Sequence, residues 1–239
     1  MLYSGSPFGC YIMVHALMQH IYYARQDCGM KDSSSGLESV GSELRQWRPD
    51  WEMDPRLSFS PLSPFSALAL DSSAVLCLAH VCLEGDLSHI RRAIYSHDMD
   101  VILRSLTENP KLMPIAAPNM EVVSYALSLA RTLVQAYPVS ISNLPHTHLV
   151  VCLGVSISRW LSTLEQTSSS EWLDSQRYIK SLVTEITAEM DFDPKNAGKP
   201  VSVMFLLTSA TVLRSSSSWA ILSVLALAFK QYADSCSSA

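Results

Sequence analysis

Cys77, His80 and Cys82 fall within one short apolar run, and thiolates beside an imidazole are the ligands that zinc prefers. On a helix Cys77 and His80 share a face while Cys82 points to the far side. A structural zinc site takes four ligands in close-set pairs, and no Cys-x-x-Cys occurs in the chain. These cysteines therefore read as small buried hydrophobes. His146, His148 and Cys152 form a second set, in which His148 and Cys152 lie one helical turn apart and could share a ligand. Pro145 places both histidines at a helix start, where side chains more often meet water.

Paired carboxylates serve acid–base or metal chemistry, and Glu185 and Glu189 stand four residues apart with Asp191 and Asp193 just beyond. They surround a helix end beside Pro194 with no His or Arg in sequence reach, so a solvated face is expected. Gly154-Val155-Ser156-Ile157-Ser158 ends in Ser where a nucleophile elbow requires Gly, and it falls inside a helical pattern. Neither a phosphate-binding Gly-x-x-x-x-Gly-Lys loop nor a Gly-x-Gly-x-x-Gly fingerprint is present. The expectation is a chain with no catalytic residue, no metal of its own and no enzymatic activity.

The elements that would position these residues are helices. Leu37, Val40, Leu44 and Trp47 recur at steps of three and four, a stripe that Pro49 is expected to end. Met120, Val123, Leu127, Ala130, Val134 and Tyr137 repeat the spacing, with Asn119 as N-cap and Pro138 as stop. So do Leu149, Leu153, Ile157, Trp160 and Leu164 after Pro145, and Trp172, Ile179, Leu182, Ile186 and Met190 up to Asp193-Pro194. Two apolar helices should close the chain, split at Ser215 to Ser218. No stretch alternates with period two, so the fold class is all-α, a single multi-helix domain of about eight helices. Asp27 to Gly36, ending in Ser33-Ser34-Ser35-Gly36, reads as a linker.

Composition narrows the function. At 239 residues the chain can bury a sizeable core. Charged residues are only 16%, against ~25% in ordinary soluble domains, so much of the surface must face inward or face a partner. With 17 basic and 22 acidic side chains the net charge is -5, which opposes a phosphate-binding surface. Six scattered cysteines fit reduced thiols in a cytosolic or nuclear compartment. The apolar segments Val201 to Leu213 and Trp219 to Phe229 are shorter than the ~20 residues that a bilayer requires.

One ordered set of motifs carries a resemblance. Trp47-x-x-x-Trp51, Glu52, Asp54 and Pro55 lead into a loop with Pro61, Pro64 and Phe65, then into Ala74–Leu83, which stops at Glu84-Gly85-Asp86 before Arg91-Arg92. Phe8 to Arg25, Tyr137-Pro138-Val139, Ser158-Arg159-Trp160-Leu161, and Trp219 with Tyr232-Ala233 complete the series. This order resembles the fungal-specific transcription factor domain, the all-helical regulatory region of fungal zinc-dependent transcription factors, in particular of members with a two-Cys, two-His finger. The resemblance implies a nuclear protein that controls transcription by RNA polymerase II and works with the transcription machinery or co-regulator proteins.

It also implies zinc and DNA contact in a separate finger. No spacing for that finger occurs here, so the chain reads as a fragment or a shortened gene product, with no cofactor of its own. Trp47, Trp51, His15, Arg91 and Arg92 are the candidates for a pocket or partner surface, where a small-molecule effector would also bind. The alternatives are a helical scaffold and a helical small-molecule-binding or enzymatic protein.

Overall fold

The computed structural model describes residues 6–26, 33–52, 62–85, 88–107, 144–166, 173–189, 196, 198–215 and 220–238. Among the described residues 92% are helical and none is in a strand, so the all-α class holds. The helices are α1 (Pro7–Gln26), α2 (Ser33–Glu52), α3 (Ser66–Glu84), α4 (Ser88–Ser96), α5 (Met99–Thr107), α6 (Leu144–Gln166), α7 (Leu173–Glu189), α8 (Val201–Ser215) and α9 (Ala220–Ser238). The expected helix over 120–137 lies outside the described residues, as do Trp172, Met190 and Trp219.

Contacts gather into two compact units, Met1–Asp86 and Leu87–Ala239, where the sequence suggests a single domain. In the first unit α1 packs on α2 and α3. Its buried residues Cys10, Val14, Leu17 and Ile21 are spaced four, three and four apart, the pattern of a coiled-coil-like seam. Each fully buried Val, Leu or Ile contributes about 1.5 to 3 kcal/mol of transfer free energy. Tyr11 and His15 lie beside Asp71, and Arg25 reaches Cys82 and Leu83, so α1 and α3 run in the same direction. Val40 and Leu44 are buried on α2, as their stripe requires.

Two expectations are corrected here. Ser33 to Gly36 is the first turn of α2 and not part of a linker; residues 27–32 lie outside the described ones. Serine suits a helix start, where its hydroxyl can serve the unpaired N–H groups. A Cβ on Gly36 would stand 3.9 Å from the Ala24 Cβ, so this turn is seated close to α1. Pro49 does not end α2, which continues to Glu52. A proline removes one donor and crowds the carbonyl four residues back; with only Asp50 to Glu52 still to come, the loss falls on the fraying end of the helix.

Helix α3 is apolar on nearly every side. Its window Ser66–Leu83, with mean hydropathy 1.7, is long and apolar enough to cross a membrane, but 61% of that window is buried within the protein. Burial all round is the position of a core helix. Ser72, fully buried there, returns its hydroxyl to the Leu68 carbonyl at 2.7 Å.

In the second unit α8 is the hub, packed on α6, α7 and α9. Buried residues cover almost its whole circumference, Phe205, Leu206, Ser209 and Leu213 among them. It runs antiparallel to α6: Gly154 approaches Ser209 at one end and Glu165 approaches Val201 at the other. Trp160 is buried, as its stripe requires. The pair α4 and α5 turns tightly through His97, which holds φ at 55°, and Asp98 caps α5 by accepting the Asp100 and Val101 N–H groups at 2.8 and 3.2 Å.

Candidate functional site

The sequence candidates with described side chains lie on α1 and α4. From Pro7 to Ala24, α1 carries no Asp, Glu, Lys or Arg. Its buried seam uses one side of the helix, which turns the remaining aromatic and apolar residues outward: Phe8, Ile12, Met13, Tyr22 and Tyr23 are all exposed, Phe8 by 61%. An exposed aromatic face without charge is unusual on a soluble protein and is the composition of interaction surfaces.

His15 sits at the border between seam and face. The Tyr11 and His15 rings meet in a T-shaped contact, with 4.4 Å between centroids and planes at 69°. The His15 Nε2 is buried and has no hydrogen-bond partner. Burial holds the imidazole below the usual histidine range, with the nearby Asp71 carboxylate pulling the other way. Burial raises the Tyr11 phenol, and Asp71 raises it further. Both effects favour neutral side chains on this part of α1.

Helix α1 ends in a guanidinium clamp. Arg25 donates from Nε to the Cys82 carbonyl at 2.5 Å and from Nη2 to the Leu83 carbonyl at 2.8 Å. These carbonyls belong to the last turn of α3, which has no intrahelical donors for them and carries the negative end of the helix dipole. The second unit uses the same device. Arg159 on α6 donates from Nη2 to the carbonyl of Leu106 in the last turn of α5, and its Nε reaches the Tyr232 hydroxyl on α9 at 3.5 Å. Burial pushes the Tyr232 phenol above its ordinary value, against the pull of Arg159.

The Ser158-Arg159-Trp160-Leu161 motif is therefore a junction of helices. Ser158 Oγ donates to the Ser202 carbonyl at 2.9 Å. Glu165, two turns on, accepts from the Val201 N–H at 2.8 Å and from Ser202 Oγ at 2.7 Å, capping the start of α8 with a carboxylate from another helix.

The remaining candidates are less built. Arg92 is exposed and its Nε reaches the Ser88 carbonyl one turn back at 3.4 Å; Arg91 is half-buried on the same helix. The backbones of Trp47 and Trp51 are in α2, but their side chains lie outside the described residues. Cys77 and His80 are buried, Cys82 is partly buried, and Cys152 is buried within α6. The side chains of His146 and His148, and residues Asp191 and Asp193, lie outside the described ones; Glu185 is exposed. Among the described residues no three His, Cys, Asp or Glu side chains converge as metal ligands.

Compared with family models, curated proteins and solved structures, the chain matches none.

Sequence reading placed Arg25 and Arg159 in motifs without giving them a role, and missed Glu165. Arg25 is the first charge after the uncharged run of α1, and Glu165 is the first acid after that of α6. A lone charge at the edge of an apolar helix was the available signal.

Proposed function

We propose that this chain is the regulatory and interaction domain of a fungal zinc-finger transcription factor that controls transcription by RNA polymerase II in the nucleus. The observation that carries the reading is the order of its motifs. Phe8 to Arg25 forms α1, Ala74 to Leu83 lies within α3, Arg91 and Arg92 sit on α4, Ser158 to Leu161 on α6, and Tyr232-Ala233 on α9. The uncharged aromatic face of α1 adds support, since it offers contact area to a co-regulator protein and no chemistry to a substrate. The net charge of -5 disfavours DNA contact by this chain, since duplex affinity rests on counterion release; on this reading DNA contact lies with a separate zinc-bearing finger.

The test is a fusion of residues 1–239 to an unrelated DNA-binding domain, assayed on a reporter gene. Transcription should change in either direction. The triple variant Phe8→Ser, Ile12→Ser, Tyr23→Ser should weaken that change without loss of soluble protein. A well-expressed fusion that leaves the reporter untouched would overturn the regulatory reading.

A further inference from the structure

We propose that the contact between α1 and α3 is a pH-responsive latch, in which protonation of His15 releases α1 from α3. A neutral imidazole can leave Nε2 bare at the cost of one unsatisfied polar atom, and here that atom is buried without a partner. The imidazolium must donate from both nitrogens. One of those donors would then point at a site that supplies no acceptor, in a place closed to water, which is the costliest way to bury a charge.

The groups around His15 set the balance. From α3 the charged neighbour is Asp71, whose attraction favours the cation. From α1 itself the neighbour is Tyr11, whose ring meets the imidazole in a T-shaped contact and whose phenol is held neutral. Helix α2 also packs on α1, but its Glu38, Glu43 and Arg45 are exposed to solvent. Burial outweighs Asp71, so the closed seam prefers the neutral ring. Opening α1 hydrates the imidazole and exposes Val14 and Leu17, which are buried when closed.

The sign follows from proton linkage. The closed state binds the proton less readily than the open one, so closure is complete above the ordinary histidine value of about 6.5 and weakens as pH falls below it. Each unit by which the closed-state value lies under the open-state one multiplies the opening constant by about ten across that window.

The experiment uses the full chain. Histidine ring resonances and amide hydrogen exchange, corrected for the intrinsic rate, are followed between about pH 7.5 and about pH 5. His15 should titrate below the ordinary histidine value of about 6.5, and the opening constant of α1 should rise severalfold in step with it while α8 stays unchanged. In His15→Gln, which cannot take up the proton, the pH response of α1 should disappear. A His15 resonance titrating at or above about 6.5 overturns the proposal, as does a flat exchange profile for α1. These wild-type measurements decide the matter even if His15→Gln folds poorly. They make no use of a reporter gene, so the latch and the regulatory reading can fail separately.

Discussion

Replacing Gly154 with Ala should destabilise the second unit, although alanine is the better helix former. A Cβ at this position would stand 3.1 Å from Ser209 Oγ, 3.2 Å from Ser209 Cβ and 3.3 Å from Phe229 Cζ. Two effects oppose each other. Alanine in a helix interior gains about 1 kcal/mol over glycine, while an added methyl in a filled core costs about 1 to 3 kcal/mol. The outcome turns on whether the neighbours can retreat. The Ser209 hydroxyl is held by its 2.9 Å bond to the Phe205 carbonyl, and Phe229 is only 1% exposed. Neither has space to yield a few tenths of an ångström. The net loss should be about 1 kcal/mol, read as a lower urea midpoint at unchanged slope. Adding Ser209→Gly should recover part of it, with a coupling of about 1 kcal/mol between the two changes. A midpoint at or above wild type would refute the claim that α6 and α8 approach here as closely as the glycine allows.

Trp160→Ala should cost about 3 to 5 kcal/mol, the range for large aromatic truncations in packed sites, and chemical denaturation would show it. His97→Gly should raise the unfolding midpoint by the equivalent of about 1 kcal/mol, because glycine adopts the positive φ of the α4–α5 turn without strain; His97→Val should lower it. The raised Tyr232 phenol predicts a loss of stability at alkaline pH: its contribution is present below about pH 10 and falls as pH rises through the raised value, because the folded state then holds its proton more tightly than the unfolded one. Tyr232→Phe should reduce that dependence in unfolding experiments run at successive pH values.

Much of the fold was legible because helix faces are local. Val40 and Leu44, or Ile157 and Trp160, declare their burial by spacing alone, and Pro145 marks the start of α6 within one residue. Pro49 and Ser33 to Gly36 misled for a related reason: local propensity was allowed to decide helix ends, where a few residues of packing or fraying override it. The clamps were not legible. Arg25 meets Leu83 across 58 positions and Arg159 meets Leu106 across 53, separations that no periodicity encodes. His15 was visible as an interruption of an apolar helix, but Asp71 as its neighbour required the packing of α1 along α3.

The clamp at the end of α5 has a consequence for synthesis on the ribosome. Helices of nine residues are too short to persist alone in water, and α4 and α5 are both of that length. The carbonyl that Arg159 satisfies becomes available 53 residues before Arg159 itself is added. At about 5 to 20 residues per second, that interval lasts roughly 3 to 10 seconds. During it Ile90, Ile94, Ile102 and Leu106 have no finished core to enter, and α9, against which α5 packs, is made later still. Among the described residues the first unit has all its helices by residue 84, whereas the second must wait for its last. A nascent chain halted after α5 and before α9 would therefore carry the complete first unit followed by an apolar stretch that chaperones can bind.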